Sequence, residues 1–327
     1  MAIAGGHAAA RAVQTGVKLG IFDVIDTGAH SAEAIAAAVS ADERATRILC
    51  DALAALGIIV KSAGRYDLSD GARKYLLRRS ENYVGGMIEF DDALWPVWER
   101  LDPTVRTGAP ARTPDMFQGS PAQAERFIRA MDSLVRARGD ARWVADNLDL
   151  SNVGVIADVG GGPGSYVAAM IRRWPHLRAR IYDLPATLEV ARRIIAEREP
   201  DIAARIELVE ADYTKREMPG PVDALFMSNI VHSEDEATNA ELIGKCFRAL
   251  RPGGVIFIKD HVMDRELVAP QAGAVFALYL MLTTRGRDYS FDEISGWVAA
   301  AGFKEIKSSP LPEPRFTSSI VSAKKPQ

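Results

Sequence analysis

The segment from Asp158 to Gly164 has the pattern Asp-x-Gly-x-Gly-x-Gly and lies between the apolar run 153–159 and a helical pattern over 165–173. Glycine is needed where the backbone turns sharply or lies against a ligand, and the first N–H groups of a helix are free to bind one. A dinucleotide fingerprint would need its third glycine where Ser165 or Val167 stands, and there is no Gly-Lys-Ser/Thr phosphate-binding motif. The pattern instead suits a cofactor that lacks a pyrophosphate but carries a positive sulfonium and an amino-acid moiety. The alternative is a turn that only links a strand to a helix.

Acidic residues end the next two apolar runs. Asp183 closes the second strand pattern, where a carboxylate can accept hydrogen bonds from both hydroxyls of a ribose. Asp212 closes the third, a position that suits an adenine amino group, with Tyr213 as an apolar cover. Strand-end aspartates can also simply cap helices. The residues predicted to bind the cofactor are Asp158, Gly160, Gly162, Gly164, Asp183, Leu184, Asp212, Tyr213 and Ser228.

His232 is the residue best suited to moving a proton. It follows the fourth strand pattern, at the edge where α/β sheets bind ligands. A histidine has an intrinsic pKa of about 6.5 and acts best as a base when a carboxylate orients its ring. On position alone, a purely structural role for His232 is equally open.

Short β-branched runs that alternate with amphipathic helices must position these residues. This alternation predicts an α/β fold with a mainly parallel, Rossmann-like sheet of seven strands. The last two runs have a proline-rich turn and no helix between them, so we expect an antiparallel pair at one edge. The predicted strands are Val153–Val159, Ala179–Asp183, Arg205–Val209, Val222–Asn229, Gly254–Lys259, Phe303–Ser308 and Ser319–Ala323.

The first 80 or so residues have a different, mainly helical pattern. Ser40 and Glu43 match a capping box that would open a third helix ending at Gly57. The runs 58–61 and 65–68 then predict a small hairpin. Three helices followed by a hairpin are typical of a winged helix, used either as a dimerisation module or for binding DNA.

Charge argues against the DNA-binding alternative. The third helix carries Asp42, Glu43 and Asp51 against Arg44 and Arg47, whereas phosphate contacts require a net positive face. The whole chain has a formal charge of −3, so no global field attracts nucleic acid. A winged-helix regulator that senses S-adenosylmethionine is kept as a rival, and salt-dependent DNA binding would favour it.

The chain resembles the class I methyltransferases, and among them the plant-type and bacterial small-molecule O-methyltransferases with an N-terminal winged-helix dimerisation domain. The resemblance extends over nearly the whole chain. It is carried by Leu19–Asp23, Leu53–Gly57, Asp158–Gly164, Tyr182–Pro185, Asn229–His232, Leu250–Gly254 and Ala301–Phe303.

The resemblance implies an enzyme that uses S-adenosylmethionine, releases S-adenosylhomocysteine and methylates a hydroxyl, such as a phenol, on a small hydrophobic molecule. It implies a homodimer formed through residues 1–101, connecting helices over 102–150 that contribute to the acceptor pocket, and a catalytic domain over 151–327. In this family, His232 matches the general base, and Asp260 and Asp288 match the two acids that flank it.

One position departs from the family pattern. The family usually continues His-Asp-Trp, whereas this chain has Ser233 and Glu234 after His232. Relatives with the same fold also methylate carbon or nitrogen, or catalyse reactions without methyl transfer. These activities are kept as alternatives, and replacement of His232 by alanine would discriminate them.

Apolar side chains that could line the acceptor pocket are Phe127, Met131, Phe276 and Met281, although each would also suit an ordinary core. The run 274–282 is too short to span a bilayer, which takes about 20 residues. We expect it to be a buried helix that covers the acceptor site, as in the family. The proline-rich stretch 102–122 is predicted to be a loop or linker.

Composition bounds the remaining possibilities. The five histidines are scattered and the two cysteines, Cys50 and Cys246, have no neighbouring ligand residues, so we predict no metal site. We interpret both cysteines as small buried hydrophobic residues, which fits a reducing cytoplasm. Members of the family usually carry residues ahead of the first helix, so we expect part of the dimer interface to be missing or shortened.

Overall fold

The computed structural model describes residues 3–312 and 317–327. The chain divides into two compact units, which are described separately. The first unit comprises Met1–Trp95 and Arg129–Arg138, and the second comprises Pro96–Ile128 and Gly139–Gln327. Among the described residues, no helix has both the length and the apolar character needed to cross a membrane. The predicted proline-rich turn between the last two strands falls partly outside the described residues.

Helices and strands are numbered in chain order. The helices are α1 Gly6–Leu19, α2 Ile21–Asp26, α3 Ala32–Ala38, α4 Glu43–Ala55, α5 Asp70–Tyr75, α6 Gly85–Asp92, α7 Trp95–Trp98, α8 Leu101–Thr107, α9 Pro121–Arg138, α10 Asp140–Asn147, α11 Ser165–Arg173, α12 Pro185–Arg198, α13 Glu236–Ala249, α14 Gln271–Thr283 and α15 Phe291–Ala300. The strands are β1 Ile59–Ser62, β2 Arg65–Leu68, β3 Val155–Val159, β4 Arg178–Asp183, β5 Ile206–Glu210, β6 Val222–Ser228, β7 Leu250–Asp260, β8 Val262–Met263, β9 Tyr289–Ser290, β10 Lys304–Pro310 and β11 Ser319–Lys324. Short 3₁₀ turns occur at Ala203–Arg205 and Val231–Ser233.

The first unit contains the predicted helices and hairpin. Strands β1 and β2 pair antiparallel, with Ile59 opposite Leu68. The predicted capping box at Ser40 and Glu43 is wrong, because the carboxylate of Asp42 caps α4 by accepting the N–H of Ala45 at 2.8 Å. Ser40 has a φ of 54° and stands outside the helix. An aspartate directly before the first helical residue is the stronger cap here because its side chain reaches the free N–H groups.

The second unit is built on one seven-stranded sheet with the order β10-β11-β7-β6-β3-β4-β5. The five strands from β7 to β5 are parallel, and β11 runs antiparallel to both of its neighbours. The predicted fold class is confirmed, and the antiparallel strand lies one place in from the edge. Because the parallel strands share a direction, the ends of β3, β4, β6 and β7 meet at one edge of the sheet.

Two predictions about the second unit need correction. The stretch expected to be a linker contains α8, with Pro103 in its first turn, where a missing N–H costs nothing because that group has no partner within the helix. Helix α14 is only partly buried, since the side chains of Val275 and Leu278 are 55% and 39% exposed.

The two-residue strands β8 and β9 were not predicted. They pair in parallel, with Val262 opposite Tyr289 and Met263 opposite Ser290. Strands this short leave no periodicity in the sequence, so only the folded chain reveals them.

Candidate active site

The segment Asp158–Gly164, here called the cofactor loop, connects the end of β3 to the start of α11. Gly160, Gly162 and Gly164 have φ values of 65°, 53° and 81°, in the region that favours glycine. A Cβ on Gly160 would lie 2.3 Å from the Ile230 side chain, whereas one on Gly162 would have nothing closer than 3.9 Å. The loop therefore needs glycine for its backbone and leaves open space beside Gly162.

Asp183, at the end of β4, holds the cofactor loop in place. One of its carboxylate oxygens accepts the N–H of Gly162 at 2.9 Å, and the other accepts the N–H of Leu184 at 2.7 Å. Burial raises the pKa of Asp183, and these two N–H groups oppose the rise. A carboxylate has about four acceptor positions, so capacity remains for hydroxyl donors of a ligand.

Asp158 brings a second acidic group to the same place. It is 1% exposed, and its Oδ2 atom has no hydrogen-bond partner among the described residues. Burial, and secondarily the charge of Asp183, raise the pKa of Asp158 well above its ordinary value. Buried carboxylates that lack a cation are costly, so a positively charged ligand with N–H donors fits this site.

Asp212 and Tyr213 lie just beyond the end of β5. The Asp212 carboxylate accepts the backbone N–H of Thr214 at 3.0 Å. The hydroxyl of Tyr213 donates to Glu234 at 3.0 Å, and the Lys245 ammonium donates to the Tyr213 carbonyl at 2.7 Å. Glu234 thus stands beside Tyr213, the predicted cover of an adenine ring, at the position where the family usually has tryptophan.

The last of the predicted cofactor residues is Ser228, which ends β6. It pairs in register with Lys259 of the neighbouring strand β7. The ends of β3, β4 and β6 therefore bring Asp158, Asp183 and Ser228 to one edge of the sheet.

His232 lies in the 3₁₀ turn after β6 and forms a pair with Asp260, the last residue of β7. The ring Nδ1 atom of His232 is 2.6 Å from Asp260 Oδ1, and both side chains are buried. The carboxylate makes Nδ1 the protonated nitrogen, so we assign Nε2 as the nitrogen that can accept a proton. The dyad has the geometry of an oriented base.

The charge balance around His232 favours its protonated form. Burial lowers the pKa of His232, but the neighbouring Asp260, helped by Asp288, outweighs burial and raises it above the ordinary value. Burial likewise opposes ionisation of Asp260, yet His232 and, more weakly, His261 hold the pKa of Asp260 below its usual range.

Asp288 and His261 complete a group that we call the base cluster: His232, Asp260, His261 and Asp288. Asp288 Oδ1 is 3.9 Å from His232 Nδ1, and Asp288 Oδ2 is 3.5 Å from His261 Nδ1. All four residues are buried. Sequence reasoning missed His261, although an Asp-His pair at the end of a strand is a recognisable signal.

Phe276 on α14 contacts the base cluster. Its ring meets the rings of His232 and His261 edge-on, with centroids 5.4 Å from each. Met281 lies five residues further along α14, on a different side of the helix. The predicted pocket residue Phe127 stacks on Phe117 at 4.9 Å. Met131 belongs to the part of α9 in the first unit.

Three members of the base cluster are metal-ligating residue types that lie close together. Ligand atoms of His232, Asp260 and Asp288 all lie within 4.8 Å of one another. The 2.6 Å separation of His232 and Asp260, however, is that of a hydrogen bond. Ligands about 2.0–2.2 Å from a tetrahedral zinc ion would be further apart, so this geometry favours proton transfer.

Two family models match the chain. The model of the O-methyltransferase domain matches residues 109–304, and that of the O-methyltransferase dimerisation domain matches residues 1–78. The two models together leave only short segments of the chain unmatched.

Curated relatives and solved structures agree with these matches. The chain is 29% identical to the 3-hydroxy-5-methyl-1-naphthoate 3-O-methyltransferase of Streptomyces sahachiroi, over 94% of this chain and 90% of that protein. It is 28% identical to the mitomycin biosynthesis 6-O-methyltransferase of Streptomyces lavendulae, over 92% of this chain and 87% of that protein. Its fold matches human N-acetylserotonin methyltransferase, solved in complex with S-adenosylmethionine. The TM-score is 0.89 at 19% identity, covering 100% of this chain and 96% of that one.

Proposed function

The chain belongs to the O-methyltransferase family and is an S-adenosylmethionine-dependent O-methyltransferase, and from this premise we propose that His232 is its general base. The observation that carries the proposal is the buried 2.6 Å pair of His232 Nδ1 and Asp260. Asp260 fixes the tautomer, so His232 Nε2 takes the proton of the acceptor hydroxyl. Asp288 adds a second negative charge that stabilises the imidazolium formed.

The cofactor loop and its neighbours would hold the methyl donor. S-adenosylmethionine, when bound, supplies a methyl group on a positively charged sulfur. Asp158 offers a carboxylate oxygen without a partner to a cationic group, and Asp183 offers its remaining acceptor positions to ribose hydroxyls. Asp212 would accept from the adenine amino group, with Tyr213 as the apolar cover. Positioning of donor and acceptor in line supplies several kcal/mol of the rate enhancement.

We propose a phenolic hydroxyl on a small hydrophobic molecule as the acceptor. The names of two relatives support this class, since one methylates a hydroxynaphthoate and the other acts in mitomycin biosynthesis. Phe276, whose ring lies against His232, would contact the acceptor ring. Phe127, Met131 and Met281 remain proposed pocket residues.

We also propose that the chain is a homodimer assembled through its dimerisation domain, and that it works in the reducing cytoplasm, where Cys50 and Cys246 would stay free thiols. Light scattering coupled to size-exclusion chromatography would measure the mass. A monomer at micromolar concentration would contradict the dimer.

The proposed function is tested by calorimetric titration with S-adenosylmethionine and S-adenosylhomocysteine, followed by a screen of phenolic acceptors for methyl ethers by mass spectrometry. We expect both cofactor forms to bind and a phenol to be methylated on oxygen. Methylation on nitrogen or carbon would contradict the acceptor class, and failure of both cofactor forms to bind would contradict the site.

A further inference from the structure

We infer that His261 is a positioning residue for the reaction: it holds the Asp288 carboxylate beside His232, and so sets the basicity of the general base from one residue further out. The inference rests on the proposed role of His232. It goes beyond that role because His261 makes no hydrogen bond to His232 and acts on it through Asp288.

The pairing of β8 with β9 creates this arrangement. Val262 lies opposite Tyr289 in a parallel register, so the residues immediately before them, His261 and Asp288, are brought side by side. The hydroxyl of Tyr289 also donates to the carbonyl of Glu234 at 2.7 Å. The segment that carries Asp288 is thereby tied to the turn that carries His232.

The polar atoms of this pair have few other partners. Asp288 is 3% exposed, and neither of its carboxylate oxygens has a hydrogen-bond partner among the described residues. His261 Nδ1 is equally without one and lies 3.5 Å from Asp288 Oδ2. Because a buried carboxylate is costly without donors, His261 is the donor that best satisfies Asp288.

The partners of the two ring nitrogens of His261 favour one tautomer. The Asp288 carboxylate only accepts hydrogen bonds, so it favours a proton on Nδ1. The Thr317 hydroxyl, 3.1 Å from Nε2, can donate to that nitrogen. A chain of polar contacts therefore runs from Thr317 through His261 and Asp288 to His232, whose ring is held on its other side by Asp260.

The base cluster is enclosed, which strengthens the interactions between its charges. A Cβ on Gly273 of α14 would come within 3.3 Å of Asp288 Oδ2 and 3.4 Å of His261 Cβ. Phe276 closes the space between the two histidine rings. The charged groups that influence His232 are Asp260 and Asp288, which raise its pKa, and Lys259, which lowers it. In such a buried site the position of the Asp288 carboxylate changes the pKa of His232 directly.

The experiment measures the pKa of His232 by NMR of the labelled imidazole rings in the full-length protein without cofactor. The variants are His261→Phe, His261→Asn, Asp288→Asn and the double variant His261→Phe/Asp288→Asn. Asparagine keeps an amide donor near the position of Nδ1, so it is the matched control for phenylalanine. The His232 resonance is assigned by its loss in His232→Ala.

We expect the pKa of His232 to fall in His261→Phe, because Asp288 loses the donor that holds its carboxylate beside His232. It should fall at least as far in Asp288→Asn, stay near the wild-type value in His261→Asn, and fall no further in the double variant than in Asp288→Asn. The acid limb of the kcat profile should shift to lower pH in the same variants.

An unchanged pKa of His232 in folded His261→Phe would overturn the inference, as would additive shifts in the double variant. Thermal unfolding checks that the variants are folded, and if His261→Phe does not fold, the comparison of His261→Asn with Asp288→Asn decides. The pKa of the His232 ring is measured without turnover. If His232→Ala kept its activity, the base assignment would be refuted, but the coupling between His261, Asp288 and His232 could still be measured in the proteins that retain His232.

Discussion

The cofactor loop and the base cluster lie at the same edge of one sheet but are built in opposite ways. The cofactor loop is one continuous segment whose shape comes from backbone conformation, with three glycines at positive φ. The base cluster draws its residues from three separate segments, and its geometry comes from side chains. In the cofactor loop, a change of side-chain charge should alter cofactor binding but leave the catalytic step in place. In the base cluster, the loss of one side chain should impair the catalytic step itself. Variants in the two regions should therefore affect different kinetic constants.

The largest expected effect is that of His232→Ala. Removal of a general base costs about 10²- to 10⁴-fold in rate, so kcat should fall by that factor while the affinity for S-adenosylmethionine stays within about twofold. Steady-state kinetics and calorimetry measure the two quantities. His176→Ala is the matched control, because His176 contacts the Leu150 carbonyl at 3.1 Å, outside the base cluster. A comparable loss of cofactor affinity in His232→Ala would erase the contrast between the two regions.

Asp158→Asn should produce the converse result. Hydrogen bonds to charged groups are worth about 1.5–3 kcal/mol, so the Kd for S-adenosylmethionine should rise about tenfold or more, with kcat at saturation nearly unchanged. The apoprotein should be no less stable, because a buried carboxylate without a cation is removed. Calorimetry and thermal unfolding test both expectations, with Asp149→Asn as the control for charge alone. A large fall in kcat at saturating cofactor would place Asp158 in the chemical step.

The pH dependence of kcat should sharpen the description of the base cluster. The base must be neutral, and Asp260 and Asp288 overcome burial to raise the pKa of His232. Activity should therefore be lost, as the pH falls, at a higher pH than for an ordinary histidine. Asp260→Asn removes the negative charge that stabilises the protonated ring of His232. The acid limb of the kcat profile should therefore move to lower pH, and kcat should fall roughly tenfold. An acid limb that stays in place would show that another group titrates.

The smallest expected effect concerns Glu234, which stands where the family usually has tryptophan. Loss of its hydrogen bond from Tyr213 should raise the Kd for S-adenosylmethionine about two- to fivefold in Glu234→Ala. Glu234→Gln keeps an acceptor oxygen and should bind nearly as the wild type does. Calorimetry on these variants and on Tyr213→Phe tests the role of this hydrogen bond. The double variant Tyr213→Phe/Glu234→Ala should bind S-adenosylmethionine no more weakly than either single variant. Equal losses in Glu234→Gln and Glu234→Ala would point to the charge of Glu234 instead.

Sequence patterns predicted the fold, the cofactor and the enzyme class, all of which are confirmed. The roles of individual site residues stay predictions. Strand periodicity located the seven strands of the sheet to within a few residues, except that β7 begins four residues earlier than predicted. The errors occurred where local signals compete, as at α4, where Asp42 rather than Ser40 caps the helix.

The sequence by itself determined what depends on neighbouring residues: the alternation of strands and helices, the glycines of the cofactor loop, and the acidic residues that follow parallel strands. These features are local because backbone conformation is set mainly by adjacent residues. Only the tertiary structure decided which distant side chains meet. The two-residue pairing of β8 with β9 sets His261 beside Asp288, and the fold places Asp288 Oδ1 3.9 Å from the ring nitrogen of His232. Neither the pairing nor the burial leaves a periodic signal in the chain.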